Sequence, residues 1–432
     1  MADTDRTDSR RRPRRRWLIL LAVVAVIVAV AGIGAWGVLA GWFDQGSILG
    51  NSTGFVATAP PPADASSEAW PTFGNTPEST RSNTALNVTR PFRTRWDVNV
   101  GSLVELPPVI GDGRVVVGTN HGLAIAIDIR SGAILWRTQL GGAVAASPAL
   151  TGLPSTPSAG TPRLAVFATI PGDLIALDPA TGALRWRISL GSSVETSPLV
   201  LGDGIFVGTR AGIVARVSLT RHRTVWTAAM GGSVKGAIAR SGTNVIVGDY
   251  SGHVTALDQA TGHVVWRTTS PGKALAGPGR FYAGPAVAYG RVYIGNVNGR
   301  VLGLDAATGK VNWVHVVGNY VYSSAAIADR LVFEGSYDHN LYAFNAVTGA
   351  VVWHQDLGQR ISGSPSVLGN LVWIATLGAP VGAGHVFAFD VRTGRRVLVR
   401  PAGRYDAAVG VDGTLVATGV DSLAALTPSP SR

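Results

Sequence analysis

The sequence predicts an all-β fold, an eight-bladed β-propeller of four-stranded antiparallel blades preceded by one N-terminal transmembrane helix. Three observations predict it. Seven tryptophans, Trp96, Trp136, Trp186, Trp226, Trp266, Trp313 and Trp353, recur along the 432 residues. Most follow one phrase, an apolar run, Asp-x-x-Thr-Gly, three residues and the indole, as in IALDPATGALRW (175–186) and TALDQATGHVVW (255–266), with Ser131 for Thr in IAIDIRSGAILW (125–136). From the Gly or Ala before each phrase (Gly118, Ala168, Gly208, Gly248, Gly295, Gly335) to the Asp, Ser or Asn position is always 10 residues, and from there to Trp always 8. A repeat of this length is one supersecondary unit copied along the chain.

The first element is not part of the repeat. Residues 1–16 carry seven arginines, and 17–43 contain no charged residue. As a helix that run spans roughly 40 Å, enough to cross a hydrocarbon core of about 30 Å. Trp17, Trp36 and Trp42 lie near its ends, and the arginines hold the N-terminus in the cytoplasm. A single-pass anchor in the cell membrane with an extracytoplasmic propeller is expected. A cleaved signal peptide ending near Val38-Leu39-Ala40 and a twin-arginine signal at Arg14–Leu18 are the alternatives. Residues 44–69, with the Pro60-Pro61-Pro62 run, read as a flexible linker, and 70–432 as the propeller.

Within each unit, short β-branched runs bounded by Gly read as strands. Gly111-Asp112-Gly113 and Gly202-Asp203-Gly204 mark tight hairpins. Asp-x-x-Thr-Gly marks another, with the carboxylate accepting from turn N–H groups and Gly taking the left-handed position. Four strands follow, here A, B, C and D, with Trp in D. Seven Trp-to-Trp units reach Leu398, which replaces the expected indole. An A–B pair (407–418) and a C strand (422–426) follow, and 92–100 around Trp96 supply the missing D strand, which closes an eighth blade without an exposed edge.

Composition excludes several chemistries. There is no cysteine, hence no disulfide, thiolate metal site, cysteine nucleophile or lipobox anchor. The formal charge of +11 is inflated by the N-terminal arginines, and no basic-aromatic stripe suggests nucleic acid. The repeated Asp128, Asp178, Asp258, Asp305 and Asp390 occupy one turn position, so they form no catalytic or calcium series. The eight histidines show no metal-ligand spacing, and no metal is expected.

These phrases, the Ser147-Pro148, Ser197-Pro198 and Ser364-Pro365 pairs and the lead-in Trp70-Pro71-Thr72-Phe73-Gly74 resemble the PQQ-like (quinoprotein-type) propeller repeats over about 70–426. That family includes quinoprotein dehydrogenases and the lipoprotein propeller of the outer-membrane β-barrel assembly machine, which this chain resembles more. The enzymes of the family stack a quinone on an indole and hold it with calcium and carboxylates. No such carboxylate set is assignable here, so neither catalytic residues nor PQQ with calcium are expected.

Candidate binding residues lie where the repeat stretches. The stretch from Trp to the next Gly or Ala is 22 residues in most units, but 32 after Trp136 and 29 after Trp266. The insertion at 151–162 lies between strands A and B and reads as a passive loop. The insertion at 270–284 joins D to A, and that at 377–385 joins B to C; these loop types share the opposite face. Arg280, Phe281, Tyr282, Tyr320, Tyr322, Tyr337 and His339 are therefore expected on one sector of one rim, as polar aromatics on loops suit recognition. Nine residues after each Trp stand Glu105, Ala145, Glu195, Lys235, Tyr322 and Ser362, with Tyr282 in the blade lengthened by the insertion. These should ring the channel mouth, where they either solvate the funnel or bind a small ligand. The functional expectation is a monomeric, non-catalytic scaffold that binds another envelope protein. The alternatives are a cell-wall glycan ligand and a PQQ-dependent oxidoreductase.

Overall fold

The computed structural model describes residues 22–24, 26, 28, 47–56, 68–88, 90–153, 160–273 and 277–429. The chain divides into two units, 46–270 with 278–432 and 1–45 with 271–277. In the smaller unit residues 22–24, 26 and 28 are helical. Among the described residues no helix is long and apolar enough to cross a membrane. The expected span at 17–43 lies almost entirely outside them.

The larger unit contains eight blades, each a four-stranded antiparallel meander, and the sheet of blade seven carries a fifth, parallel strand at its inner edge. Blades one to seven run in sequence over 109–139, 149–189, 199–229, 239–269, 286–316, 326–356 and 366–403. Blade eight combines strands A to C from 408–428 with a D strand from 92–99, paired so that Trp96 faces Ala425. The apolar clusters straddle blade boundaries. Ala149, Val166 and Trp186 of blade two, for example, pack with Val200, Ile205 and Val217 of blade three.

The two fixed distances of the repeat are the two halves of one joint between blades. In the Asp-x-x-Thr-Gly turn, Asp258 Oδ1 accepts from the Ala260 and Thr261 N–H groups and the Thr261 hydroxyl. Gly262 takes φ +76°, a region that costs other residues. The indole of the preceding blade lies on that glycine: a Cβ on Gly262 would meet Trp226 at 2.7 Å, and one on Gly309 would meet Trp266 at 2.4 Å. Six of the seven indoles also donate Nε1–H across the boundary, Trp266 to the Ala306 carbonyl at 3.1 Å and Trp96 to that of Ile129 at 2.9 Å; Trp186 Nε1 has no such partner among the described residues.

Two departures from this joint have physical reasons. After Trp186 the next turn has Ser218 for Asp and His222 for Gly. His222 adopts φ +53° and its ring lies 5.3 Å from the indole. The missing carboxylate comes from Asp203 of the adjacent hairpin, which accepts from Ser218 Oγ and the Thr220 N–H. After Leu398 there is no turn to clamp, because strands C and D of blade eight are distant in the chain. Leucine therefore suffices where the other blades need an indole.

Residues 70–83 run around the inner ends of the blades. Trp70 exchanges hydrogen bonds with Ile110 of blade one, and the carbonyls of Pro71, Pro77, Glu78, Thr80 and Arg81 accept from Leu150, Arg240, Val287, Ile327 and Val367. Ser82 and Asn83 then pair parallel to strand A of blade seven. Arg81 is fully buried and donates to the Pro365, Phe73 and Ser364 carbonyls and to Asp406 at 3.3 Å. Residues 47–56, assigned by composition to the flexible linker, lie along blade five. Ile48 pairs antiparallel with Val314, Arg291 donates to the Asn51 and Thr53 carbonyls, and Phe55 stacks on Tyr289 at 5.3 Å. This cover explains why Trp313 is wholly buried while the other six indoles retain some exposure.

Two predictions follow from the joint and from the buried charge. Gly309→Ala should destabilise the propeller by more than Gly242→Ala in urea unfolding. Both glycines have positive φ, costing about 1–2 kcal/mol for alanine, but a Cβ at Gly242 meets nothing within 4 Å. Equal losses would mean that the indole–glycine seat contributes nothing. Burial pushes the Glu334 carboxyl from 4.5 up to about 8 and that of Asp406 from 3.8 up to about 6. The folded chain then holds protons that the unfolded chain has lost, so stability should fall as pH rises from about 5 to 8. Glu334→Gln should flatten the upper part of that fall in thermal melts; an unchanged pH profile would contradict the assignment.

Candidate functional site at the channel mouth

The rim is organised by a second repeated contact. In blades one to seven the loop between strands B and C donates a backbone N–H to the preceding D–A loop. Tyr250 donates to Ser233, Val297 to Arg280, Tyr337 to Tyr320 and Leu377 to Arg360. The two loop types therefore share one face, and Arg280, Tyr320 and Arg360 are equivalent positions in successive blades. Beneath them runs a girdle that accounts for the Ser-Pro pairs. Ser197 Oγ accepts from the Ser147 N–H, Ser364 Oγ from the Ser324 N–H, and Asp406 Oδ1 from the Ser364 N–H.

All seven residues expected at the mouth, Glu105, Ala145, Glu195, Lys235, Tyr282, Tyr322 and Ser362, line one cavity of about 90 Å³. Tyr405 completes the ring for blade eight, and Phe73 of the inner segment and Asp406 also line the cavity. Glu195 is neutralised by Lys235 at 3.1 Å and Arg210 at 3.4 Å. The Glu105 carboxyl is pushed upward by burial and by repulsion from Glu195, against a hydrogen bond from Asn120. Burial also raises the Tyr282 phenol, and Tyr250 is pushed up to about 12, so both stay protonated at neutral pH.

The structure brings four of the expected rim tyrosines into one continuous arc. Tyr282 meets Tyr322 edge-on at 5.0 Å, Tyr322 meets Tyr337 at 4.8 Å, and Tyr320 lies 5.8 Å from Tyr322. Such pairs are favourable beyond their area. Cations flank the arc, Lys235 over Tyr282 at 5.6 Å and Arg360 over Tyr337 at 5.9 Å. Tyr250, which sequence reasoning missed, extends it at 6.4 Å from Tyr282. Arg280 is exposed on the rim. His339 lies in the same loop as Tyr337, at φ +77°, but enters none of the arc's ring contacts.

Phe281 is a correction. It is fully buried beneath the rim, because it is blade five's copy of the core position held by Val104, Val144, Val194, Val234, Val321 and Ile361. The register that puts Tyr282 at the mouth already puts Phe281 one residue earlier, at the core position, and the rim expectation did not apply it. Tyr405 was missed because blade seven returns to the mouth seven residues after Leu398, where other blades take nine.

A quinone of the kind the family resemblance implies does not fit this mouth. Small-molecule sites usually measure ~300–1,000 Å³, well above the 90 Å³ here. No indole lines the cavity, and Glu105 and Glu195 would oppose an anionic cofactor while Lys235 is already paired. Among the described residues no three His, Asp or Glu side chains gather as a metal site.

Comparisons with known proteins place this geometry. No curated protein matches the chain. Among solved structures, BamB from Moraxella catarrhalis is 21% identical, covering 78% of this chain and 100% of its own, with a TM-score of 0.65. A europium-containing methanol dehydrogenase is 13% identical over 84% of this chain and 98% of its own, TM-score 0.67. The quinohemoprotein alcohol dehydrogenase from Comamonas testosteroni is 15% identical over 84% and 81%, TM-score 0.69. At these identities the likeness is one of fold. A family model described as outer membrane protein assembly factor BamB matches residues 89–153, 149–227, 210–327 and 317–429. Those matches cover every blade, and the chain belongs to that family of PQQ-like, BamB-type β-propellers.

Proposed function

We propose that the chain is a membrane-anchored, extracytoplasmic propeller that acts as a non-catalytic protein-binding scaffold in the cell envelope. The observation that carries this reading is the tyrosine arc. Tyr282, Tyr322, Tyr320 and Tyr337 come from loops of two neighbouring blades and meet on one sector of one face. Tyr320 is 47% exposed, and Arg280 and Arg360 stand at the equivalent positions on either side. Rigid amphipathic rings with flanking arginines are the composition that dominates protein interfaces. Membership of an assembly-factor family supports protein binding in general. Anchoring rests on the arginine cluster followed by the uncharged run at 17–43.

Likeness in fold to two quinoprotein dehydrogenases supports a second reading, a PQQ-dependent oxidoreductase. The volume and lining of the mouth weigh against it. Saturable PQQ binding with calcium and dye-linked alcohol oxidation by the full chain would overturn the scaffold reading.

Photocrosslinkers at Tyr320 and Tyr337 in living cells should capture one envelope protein, while positions Arg130 and Arg221 on the opposite face capture none. Tyr337→Ala should weaken that complex by about 2 kcal/mol, as for a central interface aromatic. Capture from the opposite face alone would place the partner elsewhere.

A further inference from the structure

The cavity at the mouth has a chemistry of its own beneath the aromatic rim. Phe73 and Asp406 of the inner layer line it, and its volume of about 90 Å³ admits one side-chain head group and little more. Its charges are unevenly satisfied. Glu195 has Lys235 and Arg210 as direct partners, whereas Glu105 has a hydrogen bond from Asn120 and only the more distant charges of Lys235 and Arg404. Asp406 is 1% exposed, and its Oδ1 receives Arg81 and the Ser364 N–H. Its Oδ2 has no hydrogen-bond partner among the described residues. A buried acceptor left unmade is costly, and a donor that reaches it recovers that cost.

The wall suits a cation as well as the floor does. Tyr282, Tyr322 and Tyr405 line it. The same wall already holds one ammonium, since Lys235 Nζ stands 5.1 Å from the Tyr250 ring and 5.6 Å from the Tyr282 ring. An anion would face Glu105 and Asp406, and an apolar group would leave Asp406 Oδ2 unpaired. Taking an ion out of water is offset only where opposite charge and hydrogen bonds both await it.

We propose that this cavity receives a single basic side chain, the guanidinium of an arginine or the ammonium of a lysine, projected by the protein that docks on the tyrosine rim. The proposal rests on the scaffold reading for its source but not for its chemistry. Glu105 supplies the charge partner, Asp406 Oδ2 the deep acceptor, and the tyrosine faces the walls.

Calorimetric titration of the full chain with N-acetyl-arginine amide tests it, with the uncharged isostere N-acetyl-citrulline amide as control. The arginine amide should bind, the citrulline amide should bind at least about tenfold more weakly, and Glu105→Gln should erase the difference. Thermal melts of that variant check its folding, and Arg130→Gln, which removes an exposed cation on the opposite face, should leave binding intact. Equal binding of the two amides, no binding of either, or an unchanged affinity in a folded Glu105→Gln chain would overturn the proposal. The scaffold reading fails separately. If the arginine amide binds as expected but rim crosslinkers capture no partner, the cation site stands and the docking reading falls. If a partner is captured equally by Glu105→Gln, the docking reading stands and the cation site falls.

Discussion

The seating of one blade's tryptophan on the next blade's turn glycine is the constraint on which the rest of the molecule depends. Six joints share it: Trp96 on Gly132, Trp136 on Gly182, Trp226 on Gly262, Trp266 on Gly309, Trp313 on Gly349 and Trp353 on Gly394. The glycine is doubly required, by its positive φ and by the indole in the space of a Cβ. An aspartate holds the turn in shape in five of these joints and Asn345 in the sixth, and hydrogen bonds from the turn keep the carboxyl below the usual carboxylate range at Asp128 and Asp258. Geometry is thus transmitted from blade to blade by a contact with little freedom. Most mouth residues converge because they follow a blade's indole at a fixed nine-residue interval; Tyr282 and Tyr405 reach the ring by a longer and a shorter return.

Ring closure depends on a different device. The joint after blade seven has neither indole nor turn, and pairing of 92–99 with 422–428 takes its place. The inner segment 70–83 bonds to blades one, two, four, five, six and seven, tying together blades that are far apart in the ring. Arg81 is its fixed point, and the Arg81–Asp406 pair joins this segment to blade eight. The same pair brings a carboxylate to the floor of the mouth. A structural closure and a site with unused hydrogen-bonding capacity therefore share Asp406.

Strict spacing made most of the fold legible. The invariant 10 and 8 residues identify strands, turns and blade number, and Trp96 before the first full unit points to the composite eighth blade. The nine-residue register located the mouth ring for the same reason. Sequence reasoning failed where the spacing breaks or has nothing to index it. Phe281 looked like a rim aromatic because it was read with its loop and not with the register that makes it equivalent to Val321. Tyr405 and Asp406 follow a shortened return after Leu398. Arg81 and Phe73 lie in a lead-in with no internal copies for comparison. Ile48 and Phe55 sit among Gly, Ser and Thr, so composition suggested a linker where two apolar anchors dock on blade five.

Hydrogen exchange followed by mass spectrometry on the full chain tests the closure most directly. If the ring is one cooperative body tied by 70–83, the amides of Leu150, Arg240, Val287, Ile327 and Val367 should exchange as slowly as the central strands of the blades, through one shared opening. Fast, independent exchange at those five amides, with the blade strands still protected, would contradict the account.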